Sequence, residues 1–134
     1  MSVLVVVAEA EEIRLIPRAY KQLPVLVAGV GARAFDTLLN LSPKVDAIIN
    51  VGYCGSKDLP IGTVVHEPEC VSTDDFFGDD EDLSKPEYKG VVFDMEADWI
   101  KKWCDKNNVG LRMIKVVSDN LSYEQYKKTF NRKG

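Results

Sequence analysis

The stretch "LRMIKVVSD", residues 111–119, decides how this chain is read. Ile114, Val116 and Val117 suit a buried strand, and Ser118 and Asp119 follow at its carboxyl end. A strand covered on both faces has little use for a terminal carboxylate unless it caps a turn or meets a ligand. The same arrangement recurs upstream. Residues 3–8 form an apolar run, and a short helix over residues 11–16 follows, ended by Pro17. Residues 25–30 form a second strand, with glycines 29 and 31 at its end, and then a helix expected to bury Ala34, Phe35, Leu38 and Leu39. "DAIINVGYCGS" reads as a third strand ending in a glycine turn, and "GTVVHEPECV" as a fourth, with Pro68 marking an edge or bulge.

Beyond Gly90, "VVFDMEADWIKKWCDKNN" is a strand feeding a helix. Its spacing buries Ala97, Ile100, Trp103 and Cys104 and leaves Lys101, Lys102, Asp105 and Lys106 outside. Ser122 is placed to cap a last helix over residues 123–130. Strands alternating with helices predict βαβ units and an α/β three-layer sandwich around a mostly parallel, mixed sheet. Residues 1–134 read as a single domain. Six acids crowd between Asp74 and Asp82, so residues 72–89 read as an acidic loop.

Composition narrows the function classes. The chain has 134 residues, 46% of them apolar, with 17 basic residues against 21 acidic, a balance that disfavours a nucleic-acid partner. No apolar run reaches membrane-spanning length, and "SVLVVVA" reads as a first strand rather than a leader, so a cytoplasmic protein is expected. Cys54, Cys70 and Cys104 form neither a disulfide framework nor a zinc pattern. No metal site and no cofactor are predicted.

In open α/β sheets, ligands sit outside the carboxyl ends of strands. Glu9, Glu11 and Glu12 stand at the end of the first, Gly29 and Gly31 at the second, and Gly52, Tyr53 and Gly55 at the third. Asp94, Met95 and Glu96 follow the strand after Gly90, and Ser118 and Asp119 end the last. Singly, each has a plain reading: Glu11, Glu12 and Glu96 suit a helix first turn, and Asp119 a turn cap. Together they predict one cleft holding Glu12, Glu96 and Asp119.

The ordered set "VVVAEAEEIRLI", "AGVGARAF", "AIINVGYCGS", "IGTVV", "FDMEADWI" and "IKVVSD" resembles the purine nucleoside phosphorylase and uridine phosphorylase superfamily. It is most like the methylthioadenosine/S-adenosylhomocysteine nucleosidases, in a shortened form. The resemblance implies cleavage of the N-glycosidic bond of a purine nucleoside or thionucleoside. Asp119 matches the general acid that protonates the departing base at N7, with Ser118 beside it at the base. Glu96 matches the acceptor for the ribose hydroxyls, and Met95 packs on the sugar. Glu12 matches the group that orients and activates water. Gly31, Gly52 and Tyr53 fall in the water or phosphate pocket, where Tyr53 replaces a small hydroxyl residue. "AEAEE" repels anions, so hydrolysis is favoured over phosphorolysis, although Arg33 and the "GYCGS" turn leave phosphate open as a co-substrate. The acidic loop replaces a strand and base-binding loop of the superfamily, and from it Phe76 and Phe77 are placed either to stack on a base or to make a subunit contact. A homo-oligomer is implied.

Two other readings compete. One is a non-catalytic nucleoside-binding or interaction protein with a degenerate base pocket. The other treats "VLVAGVGARAF" as a dinucleotide-binding turn, which leaves the MEA and SD elements unexplained. His66 has no partner pattern, and Cys54 has no adjacent histidine to activate it.

Overall fold

The computed structural model describes residues 2–41, 45–72 and 91–131. Strand β1 (Val3–Val7) leads into two 3₁₀ turns, Ala10–Leu15 and Arg18–Tyr20, then β2 (Val25–Val27) and α1 (Arg33–Leu39). Strands β3 (Ala47–Ser56), β4 (Val64–His66), β5 (Cys70–Ser72) and β6 (Val92–Asp94) precede α2 (Ala97–Asn107), β7 (Gly110–Asp119) and α3 (Tyr123–Asn131). The acidic segment beyond Ser72, with Phe76 and Phe77, lies outside the described residues.

The described strands form one mixed, mostly parallel sheet. β3 is its axis, parallel to β1 through residues 47–50 and to β7 along its length. β2 extends the sheet parallel to β1, and β5 parallel to β6. β6 pairs antiparallel with the far end of β3, at Gly55 and Ser56, and β4 pairs antiparallel with β7.

Side-chain alternation builds the layers. Leu4, Val6 and Ile48 face one side, where they pack with Ala34 and Leu38 of α1 and Ile100, Trp103 and Cys104 of α2. Val5, Val7, Ile49 and Val51 face the other, against Ile16 and, more peripherally, Leu15, Tyr20 and Leu23. The predicted stripe of α2 is buried in full. α2 ends at Asn108, whose left-handed φ of 57° lets its amide bond the Cys104 carbonyl.

The structure corrects several expected boundaries. β2 stops at Val27, because Gly29 takes φ 99° and Gly31 φ 65°, conformations open mainly to glycine. The first helix is a 3₁₀ turn. Leu39 is exposed, since α1 is short enough to bury only Ala34 and Leu38. The "GTVVHEPECV" segment divides into β4 and β5, separated by Glu67 at φ 52° and by Pro68. The expected glycine turn after the third strand is absent: β3 runs straight through Gly52 and Gly55 to Ser56.

Candidate active site

The register of β3 explains why polar groups meet there. β1 covers the flank of β3 up to Asn50, and β6, running the opposite way, covers the same flank only from Gly55. Two strands therefore aim their carboxyl ends at each other across residues 51–54, whose flank neither strand pairs. Side chains following β1 and β6 complete that stretch.

Glu12 comes from the β1 side. The 3₁₀ turn folds its carboxylate back so that Oε1 accepts from the amides of Ala8 (2.8 Å) and Glu9 (3.1 Å). Its Oε2 accepts from the Tyr53 amide at 2.8 Å. The helix-start reading of Glu12 is thus half the story, because one oxygen caps the turn and the other satisfies β3. Only 4% of Glu12 is exposed. Burial raises its pKa, opposed first by the Lys115 ammonium and then by the three backbone donors. Gly52 makes this possible, since a Cβ there would lie 2.7 Å from Glu12 Oε2 and 3.5 Å from Lys115 Nζ.

From the β6 side come Asp94 and Glu96. Asp94 Oδ2 accepts from Lys115 Nζ (2.9 Å) and the Ala97 amide (3.0 Å), and Oδ1 accepts from the Ser72 hydroxyl (2.6 Å). Burial alone would raise the Asp94 carboxyl; Lys115 and these hydrogen bonds outweigh it and hold Asp94 below the usual carboxylate range. Burial likewise works against the Lys115 charge, and Asp94 overcomes it, so Lys115 stays a cation. Glu96 is less well provided for. Among the described residues its one donor is the Gly31 amide at 3.5 Å, and burial, then Asp94 and Glu12, push its carboxyl up to about 8.

Asp119 sits at the end of β7, paired with Gly55. Asp119 lies four positions beyond Lys115, but their partners Gly52 and Gly55 are only three positions apart, so a bulge re-aims Asp119. Asp119 is 1% exposed; its Oδ2 accepts from the Ser118 hydroxyl (2.7 Å) and its Oδ1 from the Leu121 amide (2.9 Å). Leu121 holds φ 65°, an uncommon conformation for a branched residue, which aims that amide at the carboxylate. A Cβ at Gly55 would lie 2.9 Å from Asp119 Oδ1.

The structure therefore brings Glu12, Glu96 and the two glycine positions together around Asp94 and Lys115, with Asp119 further along the same pair of strands. Met95 is partly exposed beside Gly31, its carbonyl 3.9 Å from a Cβ built there. The Tyr53 hydroxyl accepts from Arg14 Nε (2.9 Å) and Nη2 (2.6 Å), while its amide is engaged by Glu12 rather than open for an anion. Burial pushes the Cys54 thiol up to about 12, which opposes formation of a thiolate there. Sequence reasoning missed Lys115. The signal was a lysine inside "MIKVVS", an otherwise apolar central strand, where a charge survives only with a partner.

No protein-family model and no curated protein sequence matches the chain. Solved structures do match it in shape. The methylthioadenosine/S-adenosylhomocysteine nucleosidase of Streptococcus pneumoniae, in complex with 8-aminoadenine, superposes with a TM-score of 0.77 at 15% identity, over 98% of this chain and 91% of that one. The Helicobacter pylori nucleosidase of the same type gives 0.78 at 17%, over 97% and 90%. The futalosine hydrolase of Helicobacter pylori gives 0.76 at 17%, over 97% and 89%. The chain has the α/β fold of these nucleosidases and of the futalosine hydrolase. At these identities the likeness is one of fold. Among the described residues, no helix is long and apolar enough to cross a membrane.

Proposed function

We propose that this chain is an N-glycosidase that cleaves a purine nucleoside or thionucleoside, with water as the favoured acceptor. The observation that carries this reading is the convergence of buried Glu12 and Glu96 at facing strand ends, in a fold shared with nucleosidases solved with 8-aminoadenine and with 5'-methylthioadenosine. In such a cleavage positive charge builds on the sugar while the base takes up a proton. Glu12, fixed by three backbone donors and set beside a cation, suits the group that orients and deprotonates water. Glu96, in its ionised form, offers two oxygens to the vicinal ribose hydroxyls, with Met95 against the sugar face. Asp119 is the general acid at N7, supported by Ser118, a contribution of roughly 10²–10⁴-fold. Gly31, Gly52 and Tyr53 border the water pocket, and Phe76 and Phe77 are assigned to the base. A single domain, a cytoplasmic location and a homo-oligomer complete the reading.

One observation favours a binding-only protein instead. Both oxygens of Asp119 accept hydrogen bonds, which stabilises the ionised form and works against proton donation. Chromatography of free base released from a panel of nucleosides, with and without phosphate, on wild type and Asp119→Asn, separates the readings. Release without phosphate that collapses in the variant supports the nucleosidase. Release only with phosphate makes it a phosphorylase, and nucleoside binding without any release leaves the binding protein.

A further inference from the structure

Glu96 stands at the N-cap of α2, where its carbonyl accepts the first intrahelical bond from the Ile100 amide at 3.0 Å. A side-chain acceptor at that position ordinarily folds back onto an amide two or three residues on, and a carboxylate gains further from the positive helix start. Glu96 makes no such bond. The amides of the first turn are engaged by other side chains: Ala97 donates to Asp94 Oδ2 at 3.0 Å, and Asp98 donates to the Ser72 hydroxyl at 2.8 Å. In return Asp98 Oδ2 accepts from the Ser72 amide at 3.0 Å. Ser72 and Asp98 thus reproduce the reciprocal bonding of a capping box, except that the hydroxyl comes from β5, 26 positions upstream.

Sheet register delivers Ser72. It ends β5 opposite Asp94 on the parallel β6, beside the strand end that opens α2. Its hydroxyl proton goes to Asp94 Oδ1 at 2.6 Å, which leaves the oxygen lone pairs for the Asp98 amide. Relieved of capping, the Glu96 carboxylate turns instead to the loop after β2, where Oε2 lies 3.5 Å from the Gly31 amide.

We propose that Ser72 is a positioning residue that acts through Glu96: by capping α2 from a neighbouring strand, it keeps the Glu96 carboxylate facing the sugar instead of its own helix. The inference rests on the reading of Glu96 as the acceptor for the ribose hydroxyls. Without the Ser72 hydroxyl the Asp98 amide loses its acceptor, and Glu96, two positions before it, has the side chain to replace it. Burial adds to that pull. Glu96 is 8% exposed, and the Asp98 amide would give its charge a closer donor than the Gly31 amide does. Among the described residues, the charged groups facing Glu96 are Asp94 from its own strand end, Glu12 from the turn after β1 and Lys115 from β7. Ser72→Ala removes none of these charges.

Two measurements test this. The first needs no ligand and follows amide resonances in nitrogen-15-labelled protein between about pH 5 and pH 10, above the ordinary aspartate range. In Ser72→Ala the Asp98 amide is expected to move with the ionisation of Glu96, and adding Glu96→Gln should abolish that movement. An Asp98 amide that does not follow Glu96 in Ser72→Ala overturns the proposal. Should Ser72→Ala not fold, Glu96→Gln in the otherwise wild-type chain decides. Hydrogen exchange at the Asp98 amide is expected to stay as slow as in wild type, and faster exchange there would make Glu96 the cap and overturn the proposal.

The second measurement compares, by calorimetry, carbocyclic adenosine, which has no N-glycosidic bond to cleave, with its 2',3'-dideoxy analogue. Ser72→Ala should weaken the first about tenfold and leave the second unchanged, and Ser72→Thr, which keeps the hydroxyl, should restore the first. Where wild type prefers the diol, equal weakening of both ligands, or of neither, overturns the proposal. If wild type shows no such preference, the sugar reading of Glu96 falls, and the Asp98 amide alone decides whether Ser72 holds Glu96 off its helix.

Discussion

Lys115 Nζ lies 2.9 Å from Asp94 Oδ2, with both side chains 2% exposed. The pair joins the central strand β7 to the strand end that opens α2, beneath Glu12 and Glu96. Removing one partner strands the other as an uncompensated charge. Lys115→Met alone is expected to lose about 3–5 kcal/mol in urea unfolding. The double variant with Asp94→Asn is expected to recover most of that loss. Equal losses in the single and double variants would show that the ion pair is not the source.

Gly52→Ala tests the close approach at the site. Its Cβ would stand 2.7 Å from Glu12 Oε2, so the carboxylate must leave the Tyr53 amide or β3 must shift. A stability loss of about 1–3 kcal/mol is expected, together with at least a tenfold fall in base release. Retention of wild-type activity and stability would place Glu12 elsewhere.

Two carboxyls give stability opposite dependences on pH. Glu96 titrates at about 8 in the fold, above its ordinary value, so between those limits the folded state holds the extra proton and stability falls as pH rises. Asp94 is shifted down, so its contribution is complete above the ordinary aspartate range and is lost as pH falls through its folded value. Glu96→Gln should therefore match wild type near pH 5 and exceed it near pH 9 by an amount on the order of a few kcal/mol. Parallel stability curves across that range in chemical denaturation would remove Glu96 from the protonated state.

Asn108 closes α2 in the left-handed region, exposed to solvent. Glycine adopts that φ without a Cβ penalty. Asn108→Gly is expected to raise stability by about 0.5 kcal/mol and leave base release unchanged, read as a shift in the urea midpoint. A loss of stability would mean that the Asn108 side chain makes a contribution beyond its backbone.

Ala97, Ile100, Trp103 and Cys104 were readable as a buried stripe because helical spacing is a property of adjacent residues. The runs at β1 and β7, and the polar residues that end them, were readable for the same reason. The resemblance built on those motifs is borne out in the fold. Three things needed the folded chain. Gly52 and Gly55 look like turn residues in sequence, but β3 continues through them because their missing side chains make room for Glu12 and Asp119. The meeting of Glu12 with Glu96 depends on β6 running antiparallel to β3 on the flank that β1 leaves, a pairing between residues far apart in the chain. Lys115 reads locally as an interruption of an apolar strand, and only the arrival of Asp94 from another strand makes its burial tolerable. Periodicity is written within each segment, whereas the charge balance of a buried site is set by which segments the sheet brings side by side.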